Sequence, residues 1–187
     1  GILMDLKVFK RRLAELKEKL RDNNIETAII TDEDNVYYLC GYYDYLHMDF
    51  GRPTLLIISV DREILLITPA IDLNTAQEAA CVDRISAWND GMGEEWREEL
   101  PQILQKSGRI AIEPDQMPPI VKRYIDQEVP SHQVANVTPI LSTMRMVKSD
   151  EELKIARDAG KVANAMMLAG REAIVDGVAE YLSLIHI

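Results

Sequence analysis

Residues 54–68 read TLLIISVDREILLIT, two continuous apolar runs joined by a polar turn that contains Asp61 and Arg62. A strand that alternates apolar and polar residues can leave one face in water, whereas a strand apolar at nearly every position has to be covered on both. The pattern predicts a β-hairpin inside a sheet with a layer on each side. Hairpin partners are antiparallel, so the sheet is mixed and not purely parallel.

The flanking segments supply the covering layers. Leu6, Phe9, Leu13, Leu16 and Leu20 recur at spacings of three and four with Lys and Arg opposite, which reads as a surface helix laid on a core. TAIIT at 27–31 is a short buried strand with Asp32 at its carboxyl end, and DEDNVYYLCGY is a turn and a short helix closed by Gly41. Residues 69–80 are expected to form a helix led by Pro69, and RISAW at 84–88 a strand. EEWREELPQILQK reads as a helix with Trp96 and Leu100 inward, RIAIE at 109–113 as a strand, PPIVKRYIDQEV as a helix and QVANV as an edge strand. Alternating strands and helices from residue 5 to about 140 describe a three-layer α/β domain.

A different pattern follows. A Pro-containing connector leads to a capping box, Ser149 with Glu152 three residues on. The helix it opens carries Leu153, Ala156, Gly160, Ala163, Met167, Gly170 and Ile174 along one face. Small residues suit close approach of another backbone but build no core of their own, so this helix calls for a partner.

The 187 residues are enough for one complete core and part of a second. A formal net charge of −10 argues against electrostatic binding to nucleic acid or an anionic membrane, and no apolar stretch is long enough to span a bilayer. The amino end lacks the apolar core of a secretory signal. Cys40 and Cys81 sit in apolar surroundings outside any metal or redox motif, which fits a reducing cytoplasm. His47, His132 and His186 are scattered, with no second ligand at metal spacing. Asp32, Asp34 and Asn35 lack the downstream Glu of a cation loop and read as strand-end capping. NDGMGEE at 89–95 is too acidic to cradle phosphate, and Ser59, Ser86 and Ser142 lie outside any G-x-S-x-G context.

Two motifs carry a family resemblance. MRMVKSDEELKIARDAGKVANAMMLAGREAIVDGVAEY resembles the start of the catalytic domain in the creatinase, prolidase and aminopeptidase P superfamily of pita-bread metallohydrolases, where a K-S/P-x-E-E motif opens the first helix. DEDNVYYLCGY resembles the N-V-x-Y-L-x-G-Y/F signature in the amino-terminal domain of the same proteins. The implied architecture is a creatinase/prolidase-type amino-terminal domain at residues 5–143, then a linker and the first helix of a truncated pita-bread domain at 144–181. Residues 182–187, LSLIHI, match a translation of the transposon-end adapter used in sequencing libraries and are expected to be an adapter-derived tail.

The resemblance implies a parent hydrolase of the Xaa-Pro aminopeptidase or dipeptidase type, acting on a peptide or small carboxylate-bearing substrate. Its two divalent cations, Mn, Co or Zn, would be held by two Asp, one His and two Glu further along the catalytic domain. None of those motifs occurs here, so the chain itself is expected to hold no metal, no cofactor and no catalytic residue. The alternatives are a creatinase-like amidinohydrolase, which needs no metal on this scaffold, and a stand-alone dimerisation or binding module.

One stretch offers a contact to substrate. YDYLHMDFGRP at 43–53 contains Phe50, Gly51 and Arg52, similar to the Phe-Gly-Arg of creatinases, whose amino-terminal domain lends Phe and Arg to the active site of the neighbouring subunit. Carried over, Phe50 and Arg52 become substrate-carboxylate contacts across a homodimer interface, with Arg supplying the bidentate fork a carboxylate requires. The competing arrangement pairs Arg52 with Asp49 or Asp44 on the surface and leaves Phe50 to fill the core.

Overall fold

The computed structural model describes residues 6–43, 52–89, 93–147 and 150–175. Six strands form one sheet: β1 (Thr27–Ile30), β2 (Leu55–Ser59), β3 (Ile64–Pro69), β4 (Arg84–Trp88), β5 (Ile110–Ile112) and β6 (Val134–Asn136), in the order β4-β3-β2-β1-β5-β6. β2 is antiparallel to both its neighbours, while β1 with β5, β3 with β4 and β5 with β6 are parallel. The sheet is therefore mixed, and every residue of β2 and β3 is buried, as the apolar runs require. β6 is the edge strand that QVANV predicts.

Side-chain alternation divides the strands between two cores. On one face Ile29, Leu55, Ile57, Leu65, Ile67, Ile110 and Ile112 cluster with Trp96, with Leu100 of α4 (Leu100–Lys106), and with Val121, Tyr124 and Ile125 of α5 (Pro119–Glu128). The alternate residues, among them Ala28, Ile30, Leu56, Ile58 and Leu66, are buried on the opposite face. α1 (Leu6–Asp22) meets β2 and α2 (Glu33–Cys40) through a buried stripe that includes Val8, Phe9, Leu13, Leu16 and Leu20. Each such side chain taken fully out of water contributes roughly 1.5–3 kcal/mol, so burial holds α1 in place far more than helix propensity does.

Arg12 interrupts that stripe and is itself buried. Its Nη1 donates to the Tyr38 carbonyl at 2.7 Å, and its guanidinium lies 3.9 Å from the centre of the Tyr38 ring. The cation is tolerated there because a planar guanidinium can stack on a π face while its edge donates a hydrogen bond.

Three segments differ from the sequence expectation. Pro69 closes β3 opposite Trp88 and is followed by a 3-10 turn at Ala70–Asp72 and by α3 (Leu73–Ala79), in place of one helix from residue 69. β2 has already stopped pairing at Ile67, so a residue without an N–H loses no bond to it at that position. EEWREELPQILQK divides into a 3-10 turn at Glu95–Arg97 and α4, because Pro101 has no N–H for a continuous helical ladder and instead occupies the first turn of α4. Trp96 and Leu100 are nevertheless buried, as expected. The Pro-containing connector holds a helix, α6 (Thr138–Met146): Pro139 favours a first turn, and Asn136 Oδ1 accepts the Thr138 N–H at 2.9 Å.

The chain divides into two compact units, Gly1–Ser142 and Thr143–Ile187. α7 (Asp150–Val175) belongs to the second. Its Leu153, Ala156, Gly160, Ala163 and Met167 are all exposed, so the small-residue face is open along the described side chains, and Val162 and Leu168 are exposed beside it. Ser149 of the expected capping box lies outside the described residues. Among those residues no helix is long and apolar enough to cross a membrane.

Candidate functional site

β2 runs against the other five strands, so its start shares one end of the sheet with the carboxyl ends of β1, β3, β4, β5 and β6. Strand carboxyl ends are where open α/β sheets place their ligands. Two groups of chemistry-bearing residues meet at this end.

The first surrounds Arg52. Pro53 is buried, and its carbonyl accepts a 3.1 Å hydrogen bond from the Trp88 indole N–H at the end of β4. A second tie holds the chain on both sides of segment 44–51. The Tyr42 hydroxyl is 3.1 Å from Thr68 Oγ1, which lies 3.2 Å from Thr54 Oγ1, and all three residues are buried. Arg52 lines a concavity of about 260 Å³ together with Pro69, Ala70, Ile71, Trp88 and Asn89. A half-buried arginine that shares a concavity with an indole and aliphatic side chains has the chemistry to recognise a carboxylate partly sheltered from water. Phe50, Asp49 and Asp44 lie outside the described residues, so the structure places one of the two sequence-predicted contacts, Arg52.

The second group explains the DEDNVYYLCGY motif. Asp32 caps α2, its Oδ2 accepting the Asn35 N–H at 3.2 Å, in agreement with the strand-end capping read from sequence. Gly41 ends the helix at φ 83°, its N–H donating to the Tyr37 carbonyl at 2.8 Å. A Cβ at that position would stand 3.0 Å from the Phe9 ring and 3.2 Å from the Ala79 carbonyl, so both conformation and space select glycine. Asn35 turns inward and donates from Nδ2 to Glu113 Oε2 at 2.6 Å, while Glu113 Oε1 accepts the backbone N–H groups of Thr31 at 2.9 Å and Asp32 at 3.0 Å.

Glu113 is almost wholly buried just beyond β5, and removal from water pushes its carboxyl above the ordinary carboxylate value despite three hydrogen bonds that pull the other way. With both oxygens engaged by protein donors it joins β1, β5 and α2 and is not free to meet a substrate. Sequence reading passed over this residue, because a lone Glu after a strand carries no local sign of a partner 78 positions away.

His132 sits on a 3-10 turn at Ser131–Gln133, and His47 and His186 lie outside the described residues. Among the described residues no group of three or more His, Cys, Asp or Glu could hold a metal ion.

A mixed sheet covered on both faces, with a concavity at the end where five of its strands terminate, defines an α/β domain. The chain belongs to the creatinase/prolidase N-terminal domain family, whose model matches residues 12–147. It is 26% identical over 180 residues to a creatinase from Bacillus sp. (strain B-0618), covering 94% of this chain and 43% of that protein. It is 24% identical over 172 residues to an Xaa-Pro dipeptidase from Lactobacillus helveticus, covering 90% and 46%. The crystal structure of dipeptidase PepE from Mycobacterium ulcerans shares the fold, with a TM-score of 0.69 at 20% identity over 90% of this chain and 45% of that one. The chain thus spans less than half the length of the relatives it matches.

Proposed function

We propose that the chain is the amino-terminal, non-catalytic part of an Xaa-Pro aminopeptidase or dipeptidase-like metallohydrolase, and that Arg52, with Phe50, supplies the contact to the substrate carboxylate. The observation that carries this reading is that Arg52 and Trp88 line one concavity, at the end of the sheet where five of the six strands terminate. Similarity to an Xaa-Pro dipeptidase supports the substrate class. In this reading the parent protein is a cytoplasmic homodimer, Arg52 reaches the active site of the neighbouring subunit, and the pair of divalent cations, Mn, Co or Zn, is held by residues outside this chain.

Two measurements test it. This chain, supplied with saturating Mn²⁺ or Co²⁺, gives no Xaa-Pro cleavage above a blank, and turnover would overturn the assignment. In the complete protein, Arg52→Ala raises KM for a substrate bearing a free carboxylate by roughly tenfold or more, the loss of one charge-assisted hydrogen bond. An unchanged KM would remove Arg52 from the site.

A creatinase-like amidinohydrolase is the second reading. Phe50-Gly51-Arg52 and the 26% identity with the Bacillus creatinase favour it. Cleavage of creatine but not of Xaa-Pro peptides by the complete protein would select it.

A further inference from the structure

The opposite end of the sheet carries a second group of polar residues, centred on the turn between β2 and β3. Thr27 Oγ1 lies 2.7 Å from Ser107 Oγ and 3.3 Å from Ser59 Oγ, and Ser107 Oγ donates to the Ile103 carbonyl at 2.8 Å. These bonds order the hydroxyl protons into one chain, from Ser59 to Thr27 to Ser107 to the Ile103 carbonyl. Arg62 Nη2 donates to Ser107 Oγ at 2.9 Å and to Thr27 Oγ1 at 3.4 Å. Both acceptors are neutral oxygens, so among the described residues the Arg62 charge meets no carboxylate, and its Nε and Nη1 donors meet no acceptor.

Arg62 lines a cleft of about 130 Å³ together with Ser59, Glu63, Arg84, Gln102, Ile103 and Lys106. Arg84 engages two carboxylates, its Nε bonded to Glu63 at 2.8 Å and its Nη1 to Glu99 at 2.6 Å, so that group carries one surplus negative charge. Glu26 accepts the Gly108 N–H at 3.0 Å. Lys106, like Arg62, has no carboxylate partner among the described residues. Two cations without a carboxylate partner therefore outweigh the surplus negative charge of the Arg84 group at one small cleft, in a chain whose net charge is −10. That overall charge does little to oppose a local anion, because the Debye length is about 8 Å at physiological ionic strength.

We propose that this cleft binds a small oxyanion, a phosphate or a short-chain carboxylate, held by a single hydrogen bond from Arg62 and by the ammonium of Lys106. A guanidinium N–H gives an oxyanion a charge-assisted hydrogen bond, and a lysine adds a point charge. The size of the cleft suits one such group. Ile57, Leu65 and Ile103 give the cleft an apolar floor that a short aliphatic tail could cover.

The test is isothermal titration of the chain with sodium phosphate and, separately, with sodium propionate, each against sodium chloride at equal ionic strength. Saturable binding of at least one anion is expected, and the anion that binds names the source: phosphate, carboxylate, or any oxyanion if both do. Lys106→Gln, an exposed change with no bond to lose, is expected to weaken binding at least about tenfold, as is Arg62→Gln. Lys122→Gln, an exposed lysine on α5, leaves it unchanged. Absence of saturable binding of either anion, or binding unaffected by Lys106→Gln and Arg62→Gln together, overturns the proposal.

Discussion

Asn35 and Glu113 stand 78 positions apart and meet in a buried 2.6 Å hydrogen bond, the amide of one on α2 donating to the carboxyl of the other beyond β5. Through it and the two backbone bonds to Glu113 Oε1, the short helix of the DEDNVYYLCGY motif is fixed to the sheet end that carries Arg52.

Asn35→Ala leaves a buried carboxyl oxygen without its donor. The expected cost is about 1–3 kcal/mol of unfolding free energy, read from the midpoint of a urea transition with the m-value unchanged. A loss within experimental error would show that water replaces the amide.

Glu113 gives stability a pH dependence of known sign. Its folded carboxyl titrates above the ordinary carboxylate value, so its contribution is fully present below that ordinary value and is lost as pH rises through the raised one. In Glu113→Gln the amide oxygen still accepts from Thr31 and Asp32, and the Asn35 amide turns over to meet the new NH₂. The variant is expected to gain stability relative to the parent between pH 4.5 and pH 7.5 in paired urea titrations. A parent that gains relative to the variant over the same interval contradicts the stated cause.

Gly41 and Gly93 both adopt positive φ, at 83° and 79°, yet only Gly41 is crowded. Gly93→Ala should carry the left-handed backbone penalty alone, roughly 1–2 kcal/mol. Gly41→Ala adds the displacement of the Phe9 ring and is expected to lower the thermal midpoint further. Equal shifts for the two variants would mean that Phe9 moves aside freely.

The two cysteines are chemically unequal. Burial pushes the Cys40 thiol up to about 12, and Cys81, also raised by burial, is only partly covered. At pH 8 iodoacetamide is expected to modify Cys81 slowly and Cys40 only after denaturant is added, as mass spectrometry of the digested chain would show. Labelling of Cys40 in the folded chain would show that α2 opens readily.

The apolar runs at 55–59 and 64–69 determined by themselves that the sheet would be mixed and covered on both faces, because strands apolar at nearly every position have no face to give to water. The spacing of Leu13, Leu16 and Leu20 likewise determined the buried stripe of α1, and Asp32 and Gly41 the two ends of α2. Periodicity and caps are local, so they survive in the sequence. Where a proline falls is local too, but its effect depends on which neighbouring strand or carbonyl needs its missing N–H. The break before α4 and the early start of α6 were therefore decided by context.

Only the tertiary structure decided which polar residues meet. Arg52 could be singled out from its neighbours in sequence, but its place in one concavity with Trp88 depends on the start of β2 and the carboxyl end of β4 lying at the same side of the sheet. Asn35 found Glu113, and Arg62 found Thr27 and Ser107, across separations of 78, 35 and 45 residues. A hydrogen bond is selected by distance and angle in the folded chain, and a side chain's composition or spacing along the sequence carries no record of the strand register that brings its partner within hydrogen-bond reach.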